Sequence, residues 1–73
     1  MSERKSTDMK IGKTIRKYRK IKKFTQVELT KSIGVSMRAV SKWETDVGLP
    51  DIVQIIPLCR VLGITADELL GNN

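Results

Sequence analysis

The chain of 73 residues has no histidine, a single cysteine and three aromatic residues, Tyr18, Phe24 and Trp43. Without histidine, and with no nucleophile set beside a base, the usual parts of hydrolytic or transfer catalysis are missing. No cluster of metal-ligating side chains and no glycine-rich phosphate loop is present, so no enzyme activity, cofactor or metal is expected. Nothing suggests a pocket for a small-molecule ligand. One cysteine cannot form an internal disulfide, which agrees with a reducing compartment. No apolar run approaches the roughly 20 residues that span a bilayer, and no secretory segment opens the chain, so a cytoplasmic protein is expected. Period-two alternation and Asn-Gly or Asp-Gly pairs are absent, which excludes strands and tight hairpins and leaves an all-α fold.

What the sequence does contain is a series of helix starts. Thr25 with Glu28 forms a capping box, hydroxyl to amide and carboxylate back to amide, with Phe24 and Leu29 as its hydrophobic staple. Thr65 with Glu68 repeats it, stapled by Ile64 and Leu69. Ser36 is a cap between Val35 and Val40, but Ala39 leaves its box half-made. Asp51 caps a fourth segment, with Gln54 three residues on.

Apolar spacing supplies the inward faces. Ile11, Ile15 and Tyr18 give a first helix from about Met9 to Lys22. Val27, Leu29 or Thr30, and Ile33 line the second, and Val40 and Trp43 anchor the third. Ile52, Ile55, Ile56, Cys59 and Leu62 line the fourth, Leu69 and Leu70 a short fifth. Pro57 either kinks the fourth helix or begins its regular part, because a proline inside a helix removes a hydrogen bond and clashes one turn back; a weak first turn from Asp51 and firm helix beyond Pro57 is the favoured reading. Trp43, the sole tryptophan, and Cys59 read as core.

Charge is unevenly spread. Residues 1–23 hold ten Lys/Arg and two acids; residues 24–48 hold three of each; residues 49–73 hold one Arg and three acids. A polyanion is expected to meet the N-terminal side and the C-terminal helices to face away. Taken alone, the basic run is also what a merely soluble lysine-rich helix would show.

The stretch Thr25–Glu44, TQVELTKSIGVSMRAVSKWE, predicts two short helices joined by a glycine-bearing turn, the second with polar residues on one face and apolar residues on the other. That is the layout of a helix pressed into a DNA groove by the one before it. The organisation expected is a disordered basic arm at 1–8, one domain at 9–71 and a tail at 72–73, with Gly71-Asn72-Asn73 reading as a domain exit.

The pattern IGKTIRKYRK, FTQVEL, IGVSMRAVSKWE, LPDI and LGITADELLG resembles the helix-turn-helix regulators of the phage repressor and Cro type, the XRE family, over roughly residues 10–71. The resemblance implies a compact bundle of five helices, a bacterial or phage transcription regulator located on the nucleoid, and binding to double-stranded DNA as a homodimer. It implies that Gln26, next to the Thr25 cap, grips a phosphate at a helix start, where an amide side chain and free backbone amides suit an anion. It places Met37, Arg38, Ser41 and Lys42, with Ser36 at the cap, on the DNA-facing side of the third helix. Arg38 is expected to read a guanine through O6 and N7, Lys42 a base or phosphate, and Met37 a thymine methyl. Thr45 and Val47 would offer backbone amides to phosphate. Arg19 and Glu44 match a pair that ties the first helix to the third. Outside such a motif, Arg38, Ser41, Lys42 and Arg19 would read as ordinary solvated residues and Met37 as a partial core plug.

Two positions depart from the family pattern. Thr30 stands where Ala is common, and its larger side chain is expected to loosen the contact of the second and third helices. Asp46 stands where Gly is common, at a site that favours left-handed backbone, and is expected to set a negative charge near phosphates and weaken binding. The rival reading is a protein-interaction module of the same fold, of antitoxin or anti-repressor type; Arg38 and Lys42 on the recognition face favour DNA. RNA binding lacks exposed aromatics for stacking. The dimer surface is expected on the exposed part of the fourth and fifth helices, around Ile64 and Leu70.

Overall fold

A computed structural model of the chain describes residues 11–70. Five helices make up the described residues: α1 (Ile11–Ile21), α2 (Gln26–Ile33), α3 (Met37–Glu44), α4 (Ile52–Leu62) and α5 (Ala66–Leu70). The expected all-α, five-helix bundle is what forms. The arm and the tail lie outside the described residues, as do Met9 and Lys10 at the expected start of the first helix.

The caps act as their residue types dictate. At α2, the Glu28 amide donates to Thr25 Oγ1 at 3.0 Å and the Thr25 amide to Glu28 Oε1 at 2.8 Å. At α5, the Glu68 amide donates to Thr65 Oγ1 at 3.0 Å and the Thr65 amide to Glu68 Oε1 at 2.8 Å. At α3 only the forward half exists, from the Ala39 amide to Ser36 Oγ at 3.1 Å. Each such bond satisfies an amide that the helix itself leaves orphaned.

Between α2 and α3 the chain turns at Gly34, whose φ is 72°. No neighbour would obstruct a side chain there, so the glycine is required by backbone conformation and not by space. The Gly34 and Val35 amides both donate to the Thr30 carbonyl, at 2.9 and 3.2 Å, and Ser36 at once starts α3. The three-residue connection fixes α3 across α2.

The core is Ile11 and Ile15 of α1, Leu29 of α2, Val40 and Trp43 of α3, Leu58 and Leu62 of α4, and Leu69 of α5. All five helices therefore share one apolar centre, with α3 packed on both α1 and α2. Two sequence expectations change here. Val27 is exposed, leaving Leu29 as the buried residue of α2. In α4, Ile52 and Ile56 face outward, and Leu58, absent from the expected face, is fully buried.

Pro57 also behaves differently from expectation, because α4 is continuous from Ile52 through it. The first turn is held by the Asp51 amide donating to Gln54 Oε1 at 2.8 Å, and by the Gln54 and Ile55 amides donating to the Asp51 carbonyl. Burial of Leu58 and Leu62, at about 1.5–3 kcal/mol each, offsets the ~3 kcal/mol cost of an interior proline.

A buried ion pair joins α1 to α3. Arg19 Nε donates to Glu44 Oε2 at 2.6 Å and Arg19 Nη2 to Glu44 Oε1 at 3.1 Å, while Arg19 Nη1 donates to the Phe24 carbonyl at 2.8 Å. The Glu44 side chain is 3% exposed and that of Arg19 11%. The planar fork of arginine matches a carboxylate bidentately, and burial leaves either charge costly if unpaired.

Thr30 Oγ1 is buried with no hydrogen-bond partner. An orphaned buried hydroxyl costs about 1–3 kcal/mol, so Thr30→Ala is expected to raise the stability measured by urea unfolding by about 1 kcal/mol; a loss of stability would show that the methyl packing of Thr30 matters more. Glu44→Ala leaves the Arg19 cation stranded and is expected to cost about 3–5 kcal/mol, whereas Arg19→Leu with Glu44→Leu is expected to cost far less. Equal losses in the single and double variants, followed by circular dichroism on heating, would refute this account of the pair.

Candidate nucleic-acid interface

Helix α3 is divided cleanly into two sides. Val40, Trp43 and Glu44 point into the protein, and Met37, Arg38, Ser41, Lys42 and Thr45 point out. The spacing i, i+1, i+4, i+5 places the outward residues on one stripe of a 3.6-residue helix. Arg38 and Lys42 lie one turn apart on that stripe, and among the described residues neither pairs with an acid. The cap residue Ser36 is exposed at its start.

Gln26, at the first position of α2, is half-buried and donates through Nε2 to Glu44 Oε1 at 3.0 Å. A side-chain amide carries two N–H groups, so one remains after the bond to Glu44 and its direction is set by it. Thr25 is exposed beside it, with its hydroxyl engaged in the α2 cap. The first amides of α2 have no partner inside the helix, which makes this end suited to an anion. One carboxylate, Glu44, therefore receives Arg19 from α1 and Gln26 from α2 while itself belonging to α3.

The segment after α3 corrects one expectation. Thr45 and Val47 were expected to offer backbone amides, but the Thr45 amide donates to the Ser41 carbonyl at 3.1 Å and the Val47 amide to the Lys42 carbonyl at 2.9 Å. The Thr45 hydroxyl donates to the Ser41 carbonyl at 2.9 Å. These groups close the helix end, whose last carbonyls need donors. What Thr45 and Val47 expose is their side chains, with Val47 among the most exposed apolar residues.

Asp46 does occupy left-handed backbone, with φ 61°. Its carboxylate accepts from the Gly12 amide in the first turn of α1, at 3.2 Å. The expected bare charge in the loop is directed at the Gly12 amide, a contact 34 residues distant that no local pattern announces. On the outer side of α1, Lys13, Arg16, Lys17 and Lys20 are exposed, opposite Ile11 and Ile15.

The exposed apolar surface lies on α4, as expected, but not around Ile64 and Leu70. Ile64 and Leu70 are half-buried against the core. Leu49, Ile52, Val53 and Ile56 are instead between 59% and 75% exposed, three of them on one side of α4. Cys59 is half-buried, and burial, then the Glu68 carboxylate, push its thiol pKa up. Among the described residues no Cys, Asp and Glu cluster could hold a metal ion, and no helix is long and apolar enough to cross a membrane.

A helix-turn-helix family model matches residues 15–69. The chain is 33% identical over 64 residues to the cryptic phage CTXphi transcriptional repressor RstR of Vibrio cholerae, covering 88% of this chain and 57% of that protein. It is 32% identical over 64 residues to the transcriptional activator BcrR of Enterococcus faecalis, covering 88% of this chain and 31% of that protein. The chain thus spans about half or less of these two relatives. Among solved structures, the P22 c2 repressor protein in complex with a synthetic operator superposes with a TM-score of 0.82 at 35% identity, covering 86% of this chain and 96% of that one. On its helices, its turn and these likenesses together, the chain belongs to the XRE-type helix-turn-helix family, whose named members include phage repressors and transcriptional regulators.

Proposed function

We propose that this protein is a sequence-specific double-stranded DNA-binding regulator that represses transcription as a homodimer on a near-palindromic operator. The observation that carries the reading is the outward stripe of α3, Met37, Arg38, Ser41 and Lys42, backed by buried Val40, Trp43 and Glu44. A rigid helix with cationic and small polar groups outward fits the major groove, where donor and acceptor patterns differ for every base pair. Gln26 and the start of α2 grip a phosphate, and Glu44 aims the amide that does so. The basic side of α1 adds salt-sensitive attraction. RstR and the P22 c2 protein are named repressors, and the latter was crystallised with an operator, which supports the same role here.

The dimer of this reading pairs through Leu49, Ile52, Val53 and Ile56. Two copies of a chain with net charge +6 repel, and residues 49–73, with one Arg and three acids, are where they can meet. At these exposures the four residues offer roughly 500 Å² per copy, so a dimer buries about 1,000 Å², at the weak end of specific interfaces. The dimer therefore completes itself on DNA, where two half-sites hold the copies together.

Selection from a random duplex library at about 0.15 M salt is expected to yield a two-fold symmetric motif with half-sites about 34 Å apart. Failure of any duplex to be enriched by the folded protein would refute the reading. Arg38→Ala is expected to lose about 1–3 kcal/mol of discrimination at one base pair per half-site, and unchanged base preference would remove Arg38 from readout. Joint Ile52→Asp and Ile56→Asp replacement, at exposed sites that spare the fold, is expected to weaken full-operator binding about a hundredfold with single half-site binding unchanged. Retention of full-operator affinity would place the dimer contact elsewhere.

A further inference from the structure

Asp46 is the residue whose placement the DNA-binding reading leaves unexplained, since a carboxylate beside a nucleic-acid surface opposes binding. Its surroundings are specific. The Gly12 amide, at the N-terminal end of the described part of α1, donates to Asp46 Oδ1 at 3.2 Å. A Cβ on Gly12 would lie 2.2 Å from the Trp43 carbonyl oxygen and 2.6 Å from Asp46 Oδ1. The absence of a side chain at Gly12 is thus what lets the start of α1 close on the end of α3. Asp46 reaches it from left-handed backbone, φ 61°, a conformation that Asp tolerates better than most residues.

The loop that carries Asp46 is itself bonded to α3. The Asp46 amide donates to the Trp43 carbonyl at 3.2 Å, and the Val47 and Gly48 amides both donate to the Lys42 carbonyl, at 2.9 and 3.3 Å. A tether on Asp46 is therefore a tether on α3. We infer that Asp46 is a positioning residue for the recognition helix, the second of two ties that set the angle of α3 on α1. The first is Arg19–Glu44. One tie is a pivot; two ties, at Gly12 and Arg19, lie about 10 Å apart along α1 and fix a direction. Arg38 lies at the far end of α3, about 12 Å from the loop, so a tilt of about 5° moves it by about 1 Å. A displacement of that size breaks a bidentate base contact and leaves phosphate attraction intact.

The inference rests on the reading that α3 enters the DNA groove, and its test separates the two. The full chain and its Asp46→Gly and Asp46→Asn variants are titrated with the selected operator and with an unrelated duplex at the same salt, with melting temperatures in parallel. Glycine adopts the left-handed backbone without strain but has no acceptor; asparagine keeps an acceptor oxygen and removes the charge. Asp46→Gly is expected to lose about tenfold in operator affinity while its binding to the unrelated duplex holds or rises, because a negative charge is gone. Asp46→Asn is expected to stay within about twofold of the parent at the operator. A purely stabilising role would lower the melting temperature without changing the ratio of operator to unrelated binding in the folded protein, and that result overturns the inference. Operator binding by Asp46→Gly as tight as the parent's, or tighter, overturns it also and leaves Asp46 as a repulsive charge only. A parent protein that selects no operator overturns the DNA reading itself, and the inference with it.

Discussion

The Glu44 carboxylate is the point on which the arrangement of α1, α2 and α3 depends. It is nearly completely buried, so its charge must be matched by donors held in place. Arg19 supplies two N–H groups from α1 and Gln26 supplies one from α2, while Glu44 itself ends α3. An ion pair of this kind is weak evidence for stability, because two charges have to be desolvated to make it. Its value is geometric: three helices that share only aliphatic contacts could slide, whereas a bidentate pair tolerates little displacement. Trp43, adjacent in sequence, fills the apolar side of the same junction.

From that junction the interface divides its labour. Under the proposed function, phosphate recognition falls to the start of α2, where Gln26 is directed by Glu44 and the first helical amides lack internal partners. At the end of α3 the amides of Thr45, Asp46, Val47 and Gly48 are all bonded to the helix's last carbonyls. That bonding makes the loop stiff. Asp46, in that same loop, accepts from the Gly12 amide of α1. A glycine at this position could not make that contact.

Charge and apolar surface are segregated in the same sense. The cations crowd residues 1–23, and the exposed aliphatic stripe begins at Leu49. A protein meant only to be soluble has no reason to leave Ile52, Val53 and Ile56 in water on one side of a helix. Under the proposed function the cations meet the polyanion and the stripe meets a second copy, so neither interface interferes with the other.

Local chemistry was legible in the sequence itself. The capping boxes at Thr25 and Thr65, the cap at Ser36 and the glycine at Gly34 act within one helical turn, through bonds set by residue type and spacing, and each forms as read. The outward set on α3 was legible too, because a 3.6-residue period settles which side chains oppose Val40 and Trp43. Tertiary structure decided the rest. Pro57 lies within a continuous α4 because Leu58 and Leu62 are buried by other helices, a gain that no local rule counts. On α4 the sequence placed Ile55, Cys59 and Leu62 inward, as they are, but also Ile52 and Ile56, because its Ile, Val and Leu residues are nearly continuous and periodicity cannot choose among them. The bond from Asp46 to Gly12 joins residues 34 positions apart, and that from Gln26 to Glu44 joins residues 18 apart. Such partners are fixed by how helices pack, and a sequence pattern, which sees only neighbours along the chain, carries no information on where a packed helix end will lie.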